Sequence, residues 1–294
     1  MPILLRYHHD ITLVSKIDPS EKIYQKKYKY IEKQILEELN SADAKLTNTA
    51  DEFRLDNSFI DTAYVMWWQG YDKAPYLVKQ NIDRMRKIWE NVVILTANNY
   101  RDYCNIPSHI INNFNQGMIT ITHLSDIIRV NVLREHGGVW IDSTVMVTPI
   151  FEKKLEQFRN KEFITLSRTA TNYKQVAGGK WVIWFCGAPK NYPLFEFLSE
   201  FYDVYFMKHD RFIEYFISDY AIYYYWNKHP EFRMYLQSIS KDWDPYFLQN
   251  YFDVPYDEQI VKKCFDDPNL SVQKLTYKHD LKEGSILSKL SGLK

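Results

Sequence analysis

This chain of 294 residues has no net charge, no cysteine pattern and no long apolar run. Its 37 Lys and Arg balance 37 Asp and Glu. A protein whose main partner is nucleic acid carries a basic excess to neutralise phosphates, so the total argues against that partner. Three cysteines, Cys104, Cys186 and Cys264, are odd in number, far apart and form no C-x-x-C pair. Neither a disulfide framework nor a cysteine zinc site is indicated, and a reduced, cytoplasmic setting is expected. The apolar run Trp181 to Cys186 has six residues, and none approaches the roughly 18 that span a bilayer. The opening Met1 to Leu5 meets Arg6, His8, His9 and Asp10 before it could serve as a signal-peptide core. Repeats and low-complexity tracts are missing too. At this length a globular chain buries about 75% of its unfolded surface and needs no staple to fold.

What the chain has in excess is aromatic rings: 23 Tyr, 17 Phe and 8 Trp, 16% of all residues, beside only 9 Gly. Rings fill cores or form flat platforms for bases and sugars, and composition cannot choose between the two. Fifteen of them fall within the 35 residues from 192 to 226. Most of these must be core, because helices exposing so much apolar surface would not stay soluble.

Residues 1 to about 55 read as a charge-balanced helical extension, with the polar stretch Asn40 to Asp51 as a linker. Within it, residues 22 to 33 hold five Lys and one Glu, and lead into Ile31, Ile35 and Leu39 at helical spacing. That pattern suits a packing helix with solvated lysines, or a helix lying peripherally on a membrane. From residue 56 onward the texture is α/β. Ala63 to Trp68 reads as a buried strand closed by Gln69-Gly70, and Pro75 opens a helix with Leu77, Val78, Ile82, Met85, Ile88 and Trp89 inward. The apolar run Val92 to Leu95 completes a parallel βαβ unit. A second unit follows: a helix over Thr122 to His136, a stop at Gly137-Gly138, and a strand Val139 to Ile141 ending at Asp142. Further strands are expected at Phe163 to Leu166 and Trp181 to Cys186, and aromatic helices at Pro193 to Lys208 and Arg211 to Lys228. The sum is an α/β domain with a mostly parallel sheet.

Open parallel sheets bind ligands beyond the carboxyl ends of their strands, which draws attention to Asp142. Thr144, two along, would point to the same side in an extended backbone. Asp126 and Arg129 are neighbours on one helical face, a spacing equally at home in a surface ion pair. An Arg near a helix start can grip a phosphate together with free N–H groups of the first turn.

Taken in order, Trp67-Trp68-Gln69-Gly70, Ala74-Pro75, Ser125-Asp126-Ile127-Ile128-Arg129 and Gly137-Gly138-Val139-Trp140-Ile141-Asp142-Ser143-Thr144 resemble the bacterial capsular polysaccharide synthesis proteins. These are similar to glycosyltransferase family 32 and, distantly, to the large clostridial glucosylating toxins. The resemblance covers about residues 60 to 230, and the later Lys274-Leu275-Thr276-Tyr277-Lys278 also resembles the capsular group. It implies a GT-A type, nucleotide-sugar-binding domain over 56 to 294. The implied enzyme is a retaining hexosyltransferase that moves sugar from a nucleotide donor, UDP-linked by analogy, onto a saccharide acceptor. A toxin-like transferase acting on protein, or a non-catalytic nucleotide-sugar-binding relative, are the other classes the same motifs admit. The chain shows no delivery segment of the toxin kind, which favours a lipid-linked glycan acceptor at the cytoplasmic face of the membrane.

The resemblance also implies roles. Asp142 matches the first aspartate of a D-x-D motif, toward donor ribose and metal; Arg129 the arginine at donor phosphate and sugar; Asp126 the carboxylate that takes sugar hydroxyls. Trp67 or Trp68 stands where an aromatic meets uracil, with Gln69, Ser125, Ser143 and Thr144 beside the donor. Thr144 replaces the second aspartate, so the implied Mn²⁺ or Mg²⁺ would bind weakly unless His279, Asp280 or Gln273 completed its ligands. Asp219, in the second aromatic helix, is a candidate contact to acceptor or sugar, with a capping or solvated role as its plain alternative.

Overall fold

The computed structural model describes residues 21–46, 56–169 and 173–293. The opening Met1 to Asp10 and the second half of the expected linker lie outside these residues. Two helices come first, α1 (Glu21–Gln34) and α2 (Leu36–Leu46). Asn40 to Leu46 is therefore helix and not linker: Leu39, Ala42 and Leu46 recur at three and four and are buried, which outweighs the polar composition between them. Their partners are the rings of the later helices; Tyr28, for one, meets Tyr220 edge-on at 5.8 Å.

The first βαβ unit is β1 (Thr62–Met66), α3 (Tyr76–Met85) and β2 (Asn91–Leu95). Helix α3 stops three residues short of Ile88, in turns that still tuck Trp89 into the core. Next come α4 (Ser108–Asn115), α5 (Ile121–His136) and β3 (Gly138–Ile141). The glycine pair between the last two is required on both counts. Gly137 ends α5 at φ 69°, and a Cβ on Gly138 would lie 2.6 Å from the Tyr64 ring.

The chain continues through β4 (Val145–Val147), α6 (Glu152–Phe158), β5 (Ile164–Thr165) and β6 (Phe185–Ala188). Strand β6 starts four residues later than the apolar run predicts. Thr165 Oγ1 both accepts from Val182 N–H and donates to Val182 O, each at 2.9 Å, so a side chain satisfies that backbone and frees Trp181 to Trp184 from the ladder. Helix α7 (Pro193–Lys208) falls where expected, whereas α8 is only Ile217–Lys228. Residues 211 to 216 are not helical, because Tyr205 Oη donates to Arg211 O and accepts from Ile213 N–H, pinning them to α7. The chain closes with α9 (Pro230–Ser238), α10 (Glu258–Asp266), β7 (Val272–Lys274) and α11 (Ile286–Leu290).

The main sheet has five strands in the order β2-β1-β3-β6-β5. Strands β2, β1 and β3 are mutually parallel; β6 runs against both β3 and β5, so all but β6 point one way. Alternation splits the core in two. Tyr64, Met66 and Trp140 face α5, α7 and α8, while Ala63, Val65 and Ile141 face α3 and α6. This is the mixed α/β architecture of a GT-A type domain. A separate ribbon, β4 paired antiparallel with β7, joins the C-terminal segment to the exit of β3.

Candidate active site

Parallel pairing of β1 with β3 brings their carboxyl ends side by side. There a cleft of about 680 Å³ opens, a size that suits a bound small molecule. After β1, Trp67 and Trp68 form one wall; after β3, the chain turns at once, with Val145 N–H donating to Asp142 O at 2.9 Å. Asp142, Ser143 and Thr144 thus line the cleft from a turn and not from an extended strand. Asn81 of α3 steadies that turn through Ser143 O at 3.2 Å.

Four charges meet at this turn. Arg129 donates from Nη1 to Asp126 Oδ1 at 2.8 Å and from Nη2 to Asp142 Oδ1 at 2.9 Å. Trp140 Nε1 donates to the same Oδ1 at 2.9 Å, and Lys274 Nζ to Asp142 Oδ2 at 2.6 Å. The Asp126–Arg129 pair is no surface bridge, since the Arg129 side chain is only 5% exposed. Nor does the start of α5 share in it: Arg129 is eight residues beyond Ile121, about 12 Å at 1.5 Å per residue, and Thr120 already caps the first turn through His123 N–H. Arg129 points from the middle of the helix.

Burial raises the cost of ionising Asp142, but Lys274 and Arg129 outweigh it and hold the carboxyl at about 2. Asp126 has one cation partner and the Asp142 charge nearby, so burial prevails and pushes it up to about 6. Asp219 also faces the cleft, accepts from Trp181 Nε1 at 2.8 Å, and is likewise raised by burial to about 6. Two donors in the cleft wall, Arg129 Nε and Trp67 Nε1, are buried with no partner among the described residues. A buried donor left alone costs about 1–3 kcal/mol, so this wall is unsatisfied until something accepts from it.

The sequence profile of the capsular polysaccharide synthesis proteins matches residues 12–290. The chain belongs to that family. Neither a curated protein nor a solved structure is significantly similar to it.

In this capsular polysaccharide synthesis protein the cleft gathers Trp67, Trp68, Gln69, Ser125, Asp126, Arg129, together with Asp142 to Thr144 and Asp219. The two tryptophans part company: Trp68 leans on Tyr100 and Phe114, whereas Trp67 meets Tyr277 edge-on at 5.4 Å across the cleft mouth. The proposed completions of a metal site are not brought here. His279 pairs with Asp253 at 3.0 Å. Gln273 is fully buried, accepting from Leu248 N–H and donating to Asp244 O and Leu270 O. Asp280 is exposed and outside the cleft lining.

The residues present do not fit a resident divalent cation. A Mg²⁺-like ion takes six oxygen ligands, of which one or two must be protein carboxylates free to bind it, with water and phosphate supplying the rest. Both oxygens of Asp142 already accept from cationic or N–H donors, Asp126 faces Arg129, and the next motif position is the neutral Thr144. Among the described residues no three His, Cys, Asp or Glu side chains come together as ligands.

Lys274, Tyr277 and Lys278 are among the cleft-lining residues that motif reasoning left without a role. The signal was present in Lys274-Leu275-Thr276-Tyr277-Lys278, a polar and aromatic run that starts at the last residue of a short strand.

Proposed function

We propose that the protein is a glycosyltransferase of capsular or surface polysaccharide synthesis, taking a nucleotide sugar into this cleft and passing its hexose to a saccharide acceptor. The observation that carries the reading is the buried Arg129 held between Asp126 and Asp142 at the joined ends of β1 and β3. A nucleotide sugar offers a flat base, an anionic diphosphate and a hydroxyl-rich ring. The cleft supplies the complement of each: the Trp67–Tyr277 ring pair, the guanidinium of Arg129, and the carboxylates Asp126 and Asp219.

Cleaving the sugar–phosphate bond leaves its electron pair on the diphosphate, and a fixed cation in a partly dry site stabilises that charge. The acceptor oxygen forms the new bond to the anomeric carbon. Retention requires attack from the face the nucleotide leaves, with the acceptor proton passing to the departing phosphate oxygen; no side chain is assigned as nucleophile. Asp126 takes donor sugar hydroxyls, and Asp219, across the cleft on α8, takes hydroxyls of the sugar or acceptor. UDP is the expected nucleotide and a lipid-linked glycan at the inner membrane face the expected acceptor.

Among the described residues no helix is long and apolar enough to cross a membrane. Tyr28 and Ile31 of α1 are buried in the core, leaving the exposed Lys22, Lys26, Lys29 and Lys33 for any anionic surface. The deciding experiment is a panel of nucleotide sugars scored for nucleotide release with and without acceptor glycans. Release from at least one donor is expected, and silence across the panel would refute the reading.

A further inference from the structure

The D-x-D motif of the wider glycosyltransferase group that this chain resembles implies a divalent cation beside the donor diphosphate, yet the donor set at Asp142 is arranged around a lysine instead. Lys274 lies 132 residues from Asp142 in sequence and reaches it through the β4–β7 ribbon, where Lys274 pairs with Val145. Its backbone is held on every side: Lys274 N–H donates to Pro245 O at 2.8 Å, its carbonyl accepts from Gln249 Nε2 at 3.1 Å, and the next N–H, of Leu275, donates to Thr144 O at 2.9 Å. The last of these ties the lysine strand to the residue that stands where a second motif acid would be. The ammonium sits 5.2 Å from the centre of the Trp184 ring, and its side chain is 21% exposed toward the cleft. Of its three N–H donors one is used on Asp142.

We infer that Lys274 is the cation for the donor diphosphate, so that Thr144 and Lys274 together replace a motif acid and its metal ion. This inference rests on the nucleotide-sugar reading above. Asp142 then serves as the anchor that sets two cations, Arg129 and Lys274, side by side, each keeping N–H donors for phosphate oxygens. In the transfer step Lys274 neither gains nor loses a proton. The anomeric C–O bond breaks with its electron pair on the diphosphate, the acceptor oxygen bonds to the anomeric carbon, its proton goes to the diphosphate, and Lys274 donates hydrogen bonds to the growing charge. A lysine is a point charge rather than a fork, suited to an oxygen whose position shifts during bond cleavage. The neutral quartet of Asp126, Arg129, Asp142 and Lys274 also explains why the cation is tolerated here before a donor arrives.

The test uses the full-length protein, with UDP, GDP and CDP and their nucleosides as binding probes and the corresponding nucleotide sugars as donors, each in EDTA and in Mn²⁺. Expected results are binding and turnover in EDTA within about twofold of those in Mn²⁺. Lys274→Met should lower turnover about 10²–10³-fold, the usual loss on removing one charge-stabilising donor. The same variant should weaken the nucleoside diphosphate at least tenfold while leaving the nucleoside unchanged, a split that a merely structural ion pair would not produce. Lys274→Arg should recover most of the diphosphate affinity. Turnover that vanishes in EDTA and returns with Mn²⁺ overturns the role of Lys274 while upholding the transferase reading. So does a folded Lys274→Met protein with normal diphosphate affinity. If no probe binds and no donor turns over in either condition, the nucleotide-sugar reading itself fails and the inference falls with it. The EDTA arm needs no variant, so poor folding of Lys274→Met leaves the test decisive.

Discussion

The aromatic residues of α7 and α8 and those at the cleft are the same types put to opposite uses. In α7, Phe197, Phe201, Tyr202 and Tyr205 are at most 1% exposed and stack on one another and on α8; Phe197 and Tyr224, for example, are nearly parallel at 5.8 Å. At the cleft, Tyr277 is 39% exposed and Tyr215 54%. The difference lies in polar company. The cleft rings Trp140 and Trp184 lie against Arg129 and Lys274, whereas Phe197 and Phe201 of α7 pack on other rings.

The sharpest break between the two regions is expected from Phe201→Ala. Deleting a fully buried ring costs about 3–5 kcal/mol, seen as a large drop in Tm, while the KM for the donor in the protein that remains folded stays unchanged. A cleft substitution should invert that pattern. Asp142→Asn keeps the size of the side chain but gives Lys274 and Arg129 a neutral partner, and transfer should fall about 10²–10³-fold, on the order of 3–4 kcal/mol in the barrier, with a modest change in Tm. Arg129→Ala is the poorer probe. It leaves Asp126 and Asp142 facing each other without their shared cation, and removing one partner of a buried pair destabilises the fold as well. Arg129→Lys separates the two effects by keeping the charge and losing the fork.

A smaller effect tests the ring pair. Tyr277→Ala removes the ring that meets Trp67 edge-on, and base stacking on an aromatic is worth about 1–3 kcal/mol. Nucleoside affinity should fall roughly tenfold or more with Tm unmoved; unaltered affinity would assign Tyr277 to the acceptor side or to none.

How far these contrasts were legible in sequence depends on how local their causes are. Strands β1, β2 and β3 and helices α3, α5 and α7 follow from apolar runs and three-and-four spacing, and the end of α5 from the glycine pair after it, whereas the turn at Asp142 replaces the extended backbone expected there. The Asp126–Arg129 contact follows from i,i+3 spacing, though not its burial, which α7 and α8 provide from far along the chain. Lys274 could not be placed by pattern. Its three-residue strand has no periodicity, and it reaches Asp142 only because β7 pairs with β4. Residues 211 to 216 carry helical composition, but Tyr205 Oη holds them open, and two exposed rings at the cleft rim, Tyr215 and Phe216, result. Strand β6 slips for a similar reason, its expected first residues being bonded by the Thr165 side chain. The misplacements share one cause: a tertiary hydrogen bond or strand pairing overrode a local preference.

Asp219 bridges the two regions, being a carboxylate on the aromatic helix α8 that opens into the cleft. Burial raises it to about 6, with only the Trp181 N–H bond and distant Arg129 in opposition. For an acid whose folded value lies above its unfolded one of 3.8, the folded state binds the extra proton between the two values, so its stability declines as pH rises from about 4 to about 6. Asp219→Asn keeps an acceptor for Trp181 and removes the charge. The variant should therefore match the wild type near pH 4 and exceed it at pH 7, by at most about 2 kcal/mol because water in the cleft screens the group. Transfer by the same variant should fall, since an amide is a weaker acceptor for sugar hydroxyls than a carboxylate. Thermal unfolding at the two pH values, paired with donor and acceptor kinetics, checks both halves. A stabilised but slower variant marks Asp219 as a group held at a cost to the fold for the sake of the ligand; equal Tm differences at both pH values would show that burial does not raise its pKa.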